Sequence, residues 1–253
     1  MKCLNPSIRS LALALLFLNP LHACAESVSV AVAANFSAPM NAIAQEFTRD
    51  TGHQLLISAG SSGKLYVQIQ NGAPFEVFLS ADTEIPARLE QEGLAVAGSR
   101  FTYATGALVL WSADPALIDP KGKILWSNGF AKLAVADPKL APYGKAALDT
   151  LTAMGRLEAV KDKFVTGENI GQTYQFVATR NAELGFVALS QIMKDGQLIS
   201  GSAWIVPQKL YPPIRQDAVI LTTGRNNPAA SALLAYLKSG KARTIMESYG
   251  YRR

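Results

Sequence analysis

The sequence predicts an α/β fold with largely parallel sheets, and three observations carry that prediction. Short strand-like apolar runs alternate with segments whose apolar residues recur at helical spacing along most of the chain. Four of the junctions that lead from a strand-like run into a helix are polar and rich in Gly, Ser, Asn or Pro. With 253 residues, 49% of them hydrophobic, the chain can bury one large core or two smaller ones. Periodicity alone leaves open whether there is one large sheet or two lobes.

The pattern begins with Val28, Val30 and Val32 as a short strand. Asn35 to Ser37 offer capping side chains, Met40, Ile43, Ala44 and Phe47 follow at helical spacing, and Gly52 stops the helix. Leu55-Leu56-Ile57 then leads through Gly60-Ser61-Ser62-Gly63 into a helix with Leu65, Tyr66 and Ile69, ended by Asn71-Gly72. Val77-Phe78-Leu79 reads as a third strand, with Asp82 placed to cap a helix that runs to Gly93. Gly106 to Trp111 reads as one longer buried strand. Leu133 to Ala136 passes through Asp137-Pro138 and Pro142-Tyr143-Gly144 into a helix with Leu148, Leu151 and Met154. Phe164-Val165 passes through Gly167 to Asn169 into a helix with Ile170, Tyr174 and Val177. Leu184 to Leu189 and Ala218 to Thr222 are further strands, and helices around Pro228 to Leu237 and Lys241 to Tyr249 close the chain.

Residues 1–25 read as an address. Lys2 and Arg9 precede an apolar run from Leu11 to Leu18, and Ala23-Cys24-Ala25 supplies an A-x-A cleavage site, the pattern of a secretory signal. The run is too short to span a bilayer as a helix. Leu21-His22-Ala23-Cys24 loosely resembles a lipoprotein box that would tether the protein through Cys24, but His22 fits that box poorly, so a cleaved leader is expected. Cleavage removes both cysteines and His22, and His53 is the histidine that remains. Disulfides, thiolate catalysis and Cys/His zinc sites are thereby excluded from the mature chain. Two basic residues and no acidic one leave with the leader, which lowers the formal charge from +5 to +3. Neither a basic run nor a recognised motif points to nucleic acid.

Gly60-Ser61-Ser62-Gly63-Lys64 fails two familiar patterns. A P-loop needs glycine where Ser58 stands and Ser or Thr where Leu65 stands; a nucleophile elbow needs glycine where Lys64 stands. What survives is simpler. Small polar residues at helix starts, where free backbone N–H groups and the helix dipole meet, favour an anion. The bland alternative is that Asn35, Ser61 and Ser62 only cap their own helices.

At Ala33-Ala34-Asn35-Phe36, Gly60-Ser61-Ser62-Gly63, Asn71-Gly72-Ala73-Pro74-Phe75-Glu76-Val77, Ser80-Ala81-Asp82 and Ala141-Pro142-Tyr143-Gly144, the chain resembles the periplasmic molybdate-binding proteins. The likeness continues through Gly98-Ser99-Arg100-Phe101-Thr102-Tyr103 and Leu184-Gly185-Phe186-Val187-Ala188-Leu189. It implies a type II periplasmic-binding fold, in which two α/β lobes joined by crossover strands hold an anion in the cleft between them. Lobe 1 would comprise residues 26–105 and 217–253, and lobe 2 residues 106–216. The implied ligand is molybdate or tungstate, with no cofactor and no catalysis. The implied partner is the membrane permease of an ABC importer, served by a periplasmic monomer. Carried over by position, the ligating groups are Asn35 with the neighbouring Ala34 amide, Ser62 with Ser61 beside it, and the backbone amides of Tyr143 and Ile170. They reach the metal only through the oxygens of the anion. All of them fall at the four polar junctions. One position departs from some family members, which place a tyrosine hydroxyl where this chain has Ala188.

Overall fold

The computed structural model describes residues 25–127 and 129–252. The leader through Cys24 lies outside them, with the tether that Cys24 would carry. The chain runs β1 (Ser27–Ala33), α1 (Ser37–Thr51), β2 (Gln54–Gly60), α2 (Ser62–Gln70), β3 (Val77–Leu79), α3 (Glu84–Gln91) and β4 (Phe101–Gly106). It continues with β5 (Leu108–Ser112), β6 (Leu133–Ala136), α4 (Pro142–Ala153), α5 (Leu157–Val160), β7 (Phe164–Gly167), α6 (Ile170–Ala178) and β8 (Leu184–Ala188). A small hairpin of β9 (Met193–Lys194) and β10 (Gln197–Leu198) precedes β11 (Ser202–Ile205), β12 (Ile214–Ile220), α7 (Pro228–Leu237) and α8 (Gly240–Ser248).

These strands build two five-stranded sheets, ordered β2-β1-β3-β12-β4 and β11-β5-β8-β6-β7. Within the first, β1 pairs in parallel with β2 and β3, while β12 runs antiparallel between β3 and β4. Both faces of each sheet are covered, so β3, β5, β6 and β8 read as apolar runs, whereas β1 opens with alternating Ser and Val. The period of two still sorts them. Val28, Val30, Val32, Val77, Leu79, Ala218 and Ile220 pack with α1, α7 and α8 on one face of the first sheet, whereas Ala31, Phe78 and Val219 face α2 and α3 on the other. In α1, Met40, Ile43 and Phe47 are fully buried against that sheet, each contributing about 1.5–3 kcal/mol of transfer free energy. Gly52 ends the helix in a left-handed conformation, at φ 77°.

The strand expected at Gly106 to Trp111 crosses from one sheet to the other. Where Gly106 to Trp111 reads as a single strand, β4 ends at Gly106 in the first sheet and β5 begins at Leu108 in the second, with Ala107 alone between them. The chain returns between β11 and β12, through Pro212-Pro213. Ile214, Arg215 and Gln216, which the division of the sequence put in the second lobe, pair with β4 of the first sheet. Strands β4 and β11 were not picked out at all. Asp82 does accept a hydrogen bond from the Ile85 N–H at 2.8 Å, but from one residue ahead of the N-cap position, which is Thr83.

The lobes touch directly. The Gly63 N–H donates to the Leu140 carbonyl at 2.9 Å, and the Ser190 hydroxyl donates to the Asn35 carbonyl at 2.8 Å. A Cβ on Gly63 would lie 3.1 Å from Leu140 backbone atoms, so the absence of a side chain there permits the close approach.

A candidate anion site at four helix starts

The six residues singled out in the sequence line one small cavity between the lobes. Its walls are Ala33, Ala34, Asn35, Gly60, Ser61, Ser62, Ala81, Ala141, Pro142, Tyr143, Asn169 and Ile170, around an empty volume of about 190 Å³. The volume open to a water-sized sphere is only about 10 Å³, far below the roughly 300–1,000 Å³ of pockets for organic ligands. It suits a small polyatomic ion better than an organic molecule. A larger neighbouring groove, of about 1470 Å³, shares Ala81, Ala141 and Pro142 with it and continues past Asp82, Arg88 and Lys145 toward Arg215.

Each wall is a place where a parallel strand ends and a helix begins, the usual position of ligand sites in α/β sheets. Ser61 is the N-cap of α2, and its Oγ accepts from the Lys64 N–H at 3.4 Å. The bland reading is therefore correct for Ser61. Ser62 is different: its buried Oγ accepts from the Ala81 N–H at 2.9 Å, which leaves the hydroxyl hydrogen to donate. Asn169 caps α6 by accepting from the Gln172 N–H at 3.0 Å, so that Ile170 stands at the first helical position. In α4, Pro142 takes that position and brings no N–H, leaving the Tyr143 amide as the first donor of the helix. Among the described residues, the N–H groups of Ser62, Tyr143 and Ile170 make no hydrogen bond, as expected for first-turn amides.

Asn35 does something the sequence did not reveal. A 3₁₀ turn over Ala34–Phe36 precedes α1, which has no side-chain cap; the Ser37 hydroxyl bonds back to the Ala34 carbonyl instead. The Asn35 carboxamide turns into the protein, where Nδ2 donates to Gln216 Oε1 and to the Tyr251 hydroxyl, both at 2.8 Å. Around it lie the hydroxyls of Tyr103, Tyr143 and Ser190. Burial pushes the Tyr103 and Tyr143 phenols well above their usual range and Tyr251 up to about 12, so all three stay neutral at physiological pH. Ala188 is buried in β8 and does not line the cavity.

Among the described residues, no Lys, Arg, Asp or Glu lines the cavity. Beside two of the walls an ion pair joins the lobes, Lys64 Nζ to Glu168 Oε1 at 2.6 Å, with both side chains about half exposed. An ion held here would be neutralised by amide and hydroxyl dipoles and by the positive ends of helices.

Fold and site together define a two-lobed receptor of the solute-binding class. Residues 28–252 match the family model of the bacterial extracellular solute-binding proteins, and the chain belongs to that family. The molybdate-binding protein ModA of Azotobacter vinelandii is 60% identical over 227 residues, 90% of either chain. The protein of the same name from Rhodobacter capsulatus is 52% identical over 241 residues, covering 95% of this chain and 94% of its own. The solved structure of the Azotobacter vinelandii periplasmic molybdate-binding protein superposes with a TM-score of 0.87 at 41% identity, over 89% of this chain and 99% of that one. The architecture is thus the type II periplasmic-binding fold. The sulfate-binding protein SubI of Mycobacterium tuberculosis, at TM-score 0.67 and 14% identity, shares the fold alone.

Proposed function

We propose that the protein captures molybdate, and tungstate equally, in the cleft between its lobes and delivers it to the permease of an ABC importer. The observation that carries this reading is the convergence of four helix starts on one small cavity without charged side chains. The bound oxyanion would take hydrogen bonds from the amides of Ala34, Asn35, Ser62, Tyr143 and Ile170 and from the Ser62 hydroxyl, with Ser61 holding the start of α2. Charge-assisted hydrogen bonds contribute about 1.5–3 kcal/mol each, so five or six supply about 8–18 kcal/mol before ordering and desolvation are subtracted, enough at the upper end for the ~8 kcal/mol of micromolar binding. The two relatives that are more than half identical, both named for molybdate, support the choice of ion.

In this reading the lobes are residues 26–106 with 214–252, and 107–213. The leader directs the chain to the periplasm, where it acts as a monomer. Donors from both lobes close on one ion, and the closed form presents a changed surface to the permease. Selectivity over sulfate comes from size, because donors spaced for the larger ion leave a smaller one with stretched bonds. Phosphate that carries a proton finds no carboxylate among the described wall residues to accept it. Hydrolysis is disfavoured by His53, whose Nδ1 accepts from the Glu26 N–H at the start of β1. It lies beyond the far end of β2 from Ser61, a separation of roughly 25 Å at about 3.3 Å per strand residue.

Calorimetric titration with molybdate, tungstate, sulfate and phosphate tests the proposal. The expected result is similar, sub-micromolar affinity for the first two and far weaker binding of the others. Equal or tighter binding of sulfate would overturn the choice of ion.

A further inference from the structure

Two segments that carry donors of the candidate site also meet each other. Gly63 follows Ser62 in the first turn of α2, so its N–H is another amide without a partner inside the helix. Gly63 does not line the cavity; its N–H crosses to the second lobe and donates to the Leu140 carbonyl at 2.9 Å. Leu140 lies three residues ahead of Tyr143, whose amide is the first of α4. One main-chain hydrogen bond thus spans the lobes between the Ser62 donors and the Tyr143 donor.

Both sides of this contact are braced. In the second lobe the Leu140 and Ala141 N–H groups donate to the Asp137 carbonyl at 3.1 and 2.8 Å, and the Asp137 N–H donates to the Gly167 carbonyl at 2.8 Å. Leu140 is thereby tied to the junction that leads into α6 and to Ile170. In the first lobe the Leu65 N–H donates to the Ser61 carbonyl at 3.0 Å, and the Ser62 hydroxyl oxygen holds the Ala81 N–H at 2.9 Å. The atoms in contact are main chain, so no side chain can turn away to relieve pressure. A Cβ on Gly63 would stand 3.1 Å from both Leu140 Cα and Leu140 O, and one of the two segments would have to give by a few tenths of an ångström. The other two bonds between the lobes are softer, because Ser190 to Asn35 and Lys64 to Glu168 each depend on side chains that can rotate.

We propose that Gly63 is a specificity-determining residue of the anion site: its packing on Leu140 sets the distance between the Ser62 donors and the Tyr143 amide, and with it the size of ion that both lobes can bond at once. The proposal rests on the oxyanion-receptor reading. A spacing fixed by protein against protein keeps its value whichever ion enters, so a smaller tetrahedral ion bonds well to one lobe only by stretching its bonds to the other, and hydrogen bonds weaken with stretch. A spacing set by the ion itself would shrink to fit and would discriminate little by size.

Gly63 sits in helical backbone and alanine is the better helix former, so Gly63→Ala probes the spacing with α2 intact. The added Cβ wedges the lobes apart, and titration at pH 8 with molybdate, tungstate, chromate and selenate reads the result. Every affinity should fall, and the loss for the two smaller ions, chromate and selenate, should exceed the loss for molybdate and tungstate by about threefold or more. Gly63→Ser adds the same Cβ and should reproduce that order, which keeps the test decisive should one variant fold poorly. A merely structural fault would lower all four affinities alike; that outcome, or unchanged affinities, overturns the proposal. In wild-type protein labelled with 15N and 13C, the coupling across the hydrogen bond from the Gly63 nitrogen to the Leu140 carbonyl carbon should be the same with molybdate or selenate bound. A coupling that differs between the two ions shows a spacing that follows the ion, and also overturns it. A wild type that binds no oxyanion overturns the receptor reading and this proposal with it; a wild type that binds molybdate while the variants show no order by size overturns this proposal alone.

Discussion

The Ser62 hydroxyl oxygen accepts from the Ala81 N–H at 2.9 Å, tying the first turn of α2 to the segment that follows β3. Ser62 therefore has two jobs, since its hydrogen remains for the ion while its lone pair satisfies a buried amide. Ser62→Ala should weaken molybdate binding ten- to a hundredfold, the loss of one charge-assisted bond of about 1.5–3 kcal/mol. It should also lower the melting temperature of the ligand-free protein by several degrees, because leaving the Ala81 N–H unpaired costs about 1–3 kcal/mol. The sequence had suggested only a cap worth ~1 kcal/mol, but that role belongs to Ser61. Titration calorimetry and a thermal scan check the two effects, and an unchanged affinity would remove Ser62 from the site.

Lys64, two residues away, should matter far less. Its pair with Glu168 is exposed and screened, a type worth about 0–1 kcal/mol. Lys64→Ala should weaken binding less than about fivefold, and part of that loss should come from the uncompensated Glu168 carboxylate beside the start of α6. Adding Glu168→Gln should then restore the affinity. Titrations of the single and double variants at low and high salt distinguish this from a lysine that grips the ion, in which case the second change would rescue nothing.

At the crossover, Gly106 is held to having no side chain. A Cβ would lie 2.0 Å from the Tyr143 hydroxyl and 2.6 Å from Gln216 Nε2. Gly106→Ala should destabilise the protein by about 1–3 kcal/mol through overpacking, and it should also weaken the ion by displacing Tyr143. Combining it with Tyr143→Phe, which removes the clashing oxygen but keeps the backbone amide, should recover part of both losses in melting and titration experiments.

Asp82 gives stability a pH dependence. Burial, reinforced by the Glu84 carboxylate, raises it to about 6, against the opposing hydrogen bond from the Ile85 N–H. The folded protein thus holds this proton more tightly than the unfolded chain, whose value is near 3.8. Between about pH 4 and 6 the Asp82 contribution to stability falls as pH rises, and above pH 6 the full cost of burying the charge is present. Asp82→Asn should leave stability nearly unchanged at pH 4 and raise it by about 1–3 kcal/mol at pH 8. Urea melts of both proteins at the two pH values give the comparison, and a gain that is equal at both would rule out titration of this carboxyl.

Helix starts were legible because they require particular chemistry: Pro142 at a first helical position and Ser61 at a cap announce themselves, and the site sits on those starts. The crossovers were not. A strand that leaves one sheet and enters another across Ala107 needs no turn residue, so Phe101–Gly106 and Leu108–Ser112 had no visible boundary. The second layer of the site stayed hidden for another reason. Gln216, Tyr251 and Ser190 approach Asn35 from 181, 216 and 155 residues away, and sequence spacing is silent about such contacts. The one local hint was the polar run Arg215-Gln216-Asp217 inside the strand Ile214–Ile220, where the buried Gln216 amide must find partners.

The place of β12 sets an order of assembly. The second sheet draws on residues 108–205 and can close from these alone, whereas the middle of the first sheet stays vacant until residues 214–220 join it. Until then β3 has no neighbour on one side and β4 has none at all, leaving strand edges open to wrong pairing. The segment built earliest, around Asn35, thus waits for one of the last, around Tyr251. A chain truncated before Tyr251 keeps most of the cavity wall but loses the hydroxyl that meets the Asn35 carboxamide, so the wall is complete only when the last residues have docked.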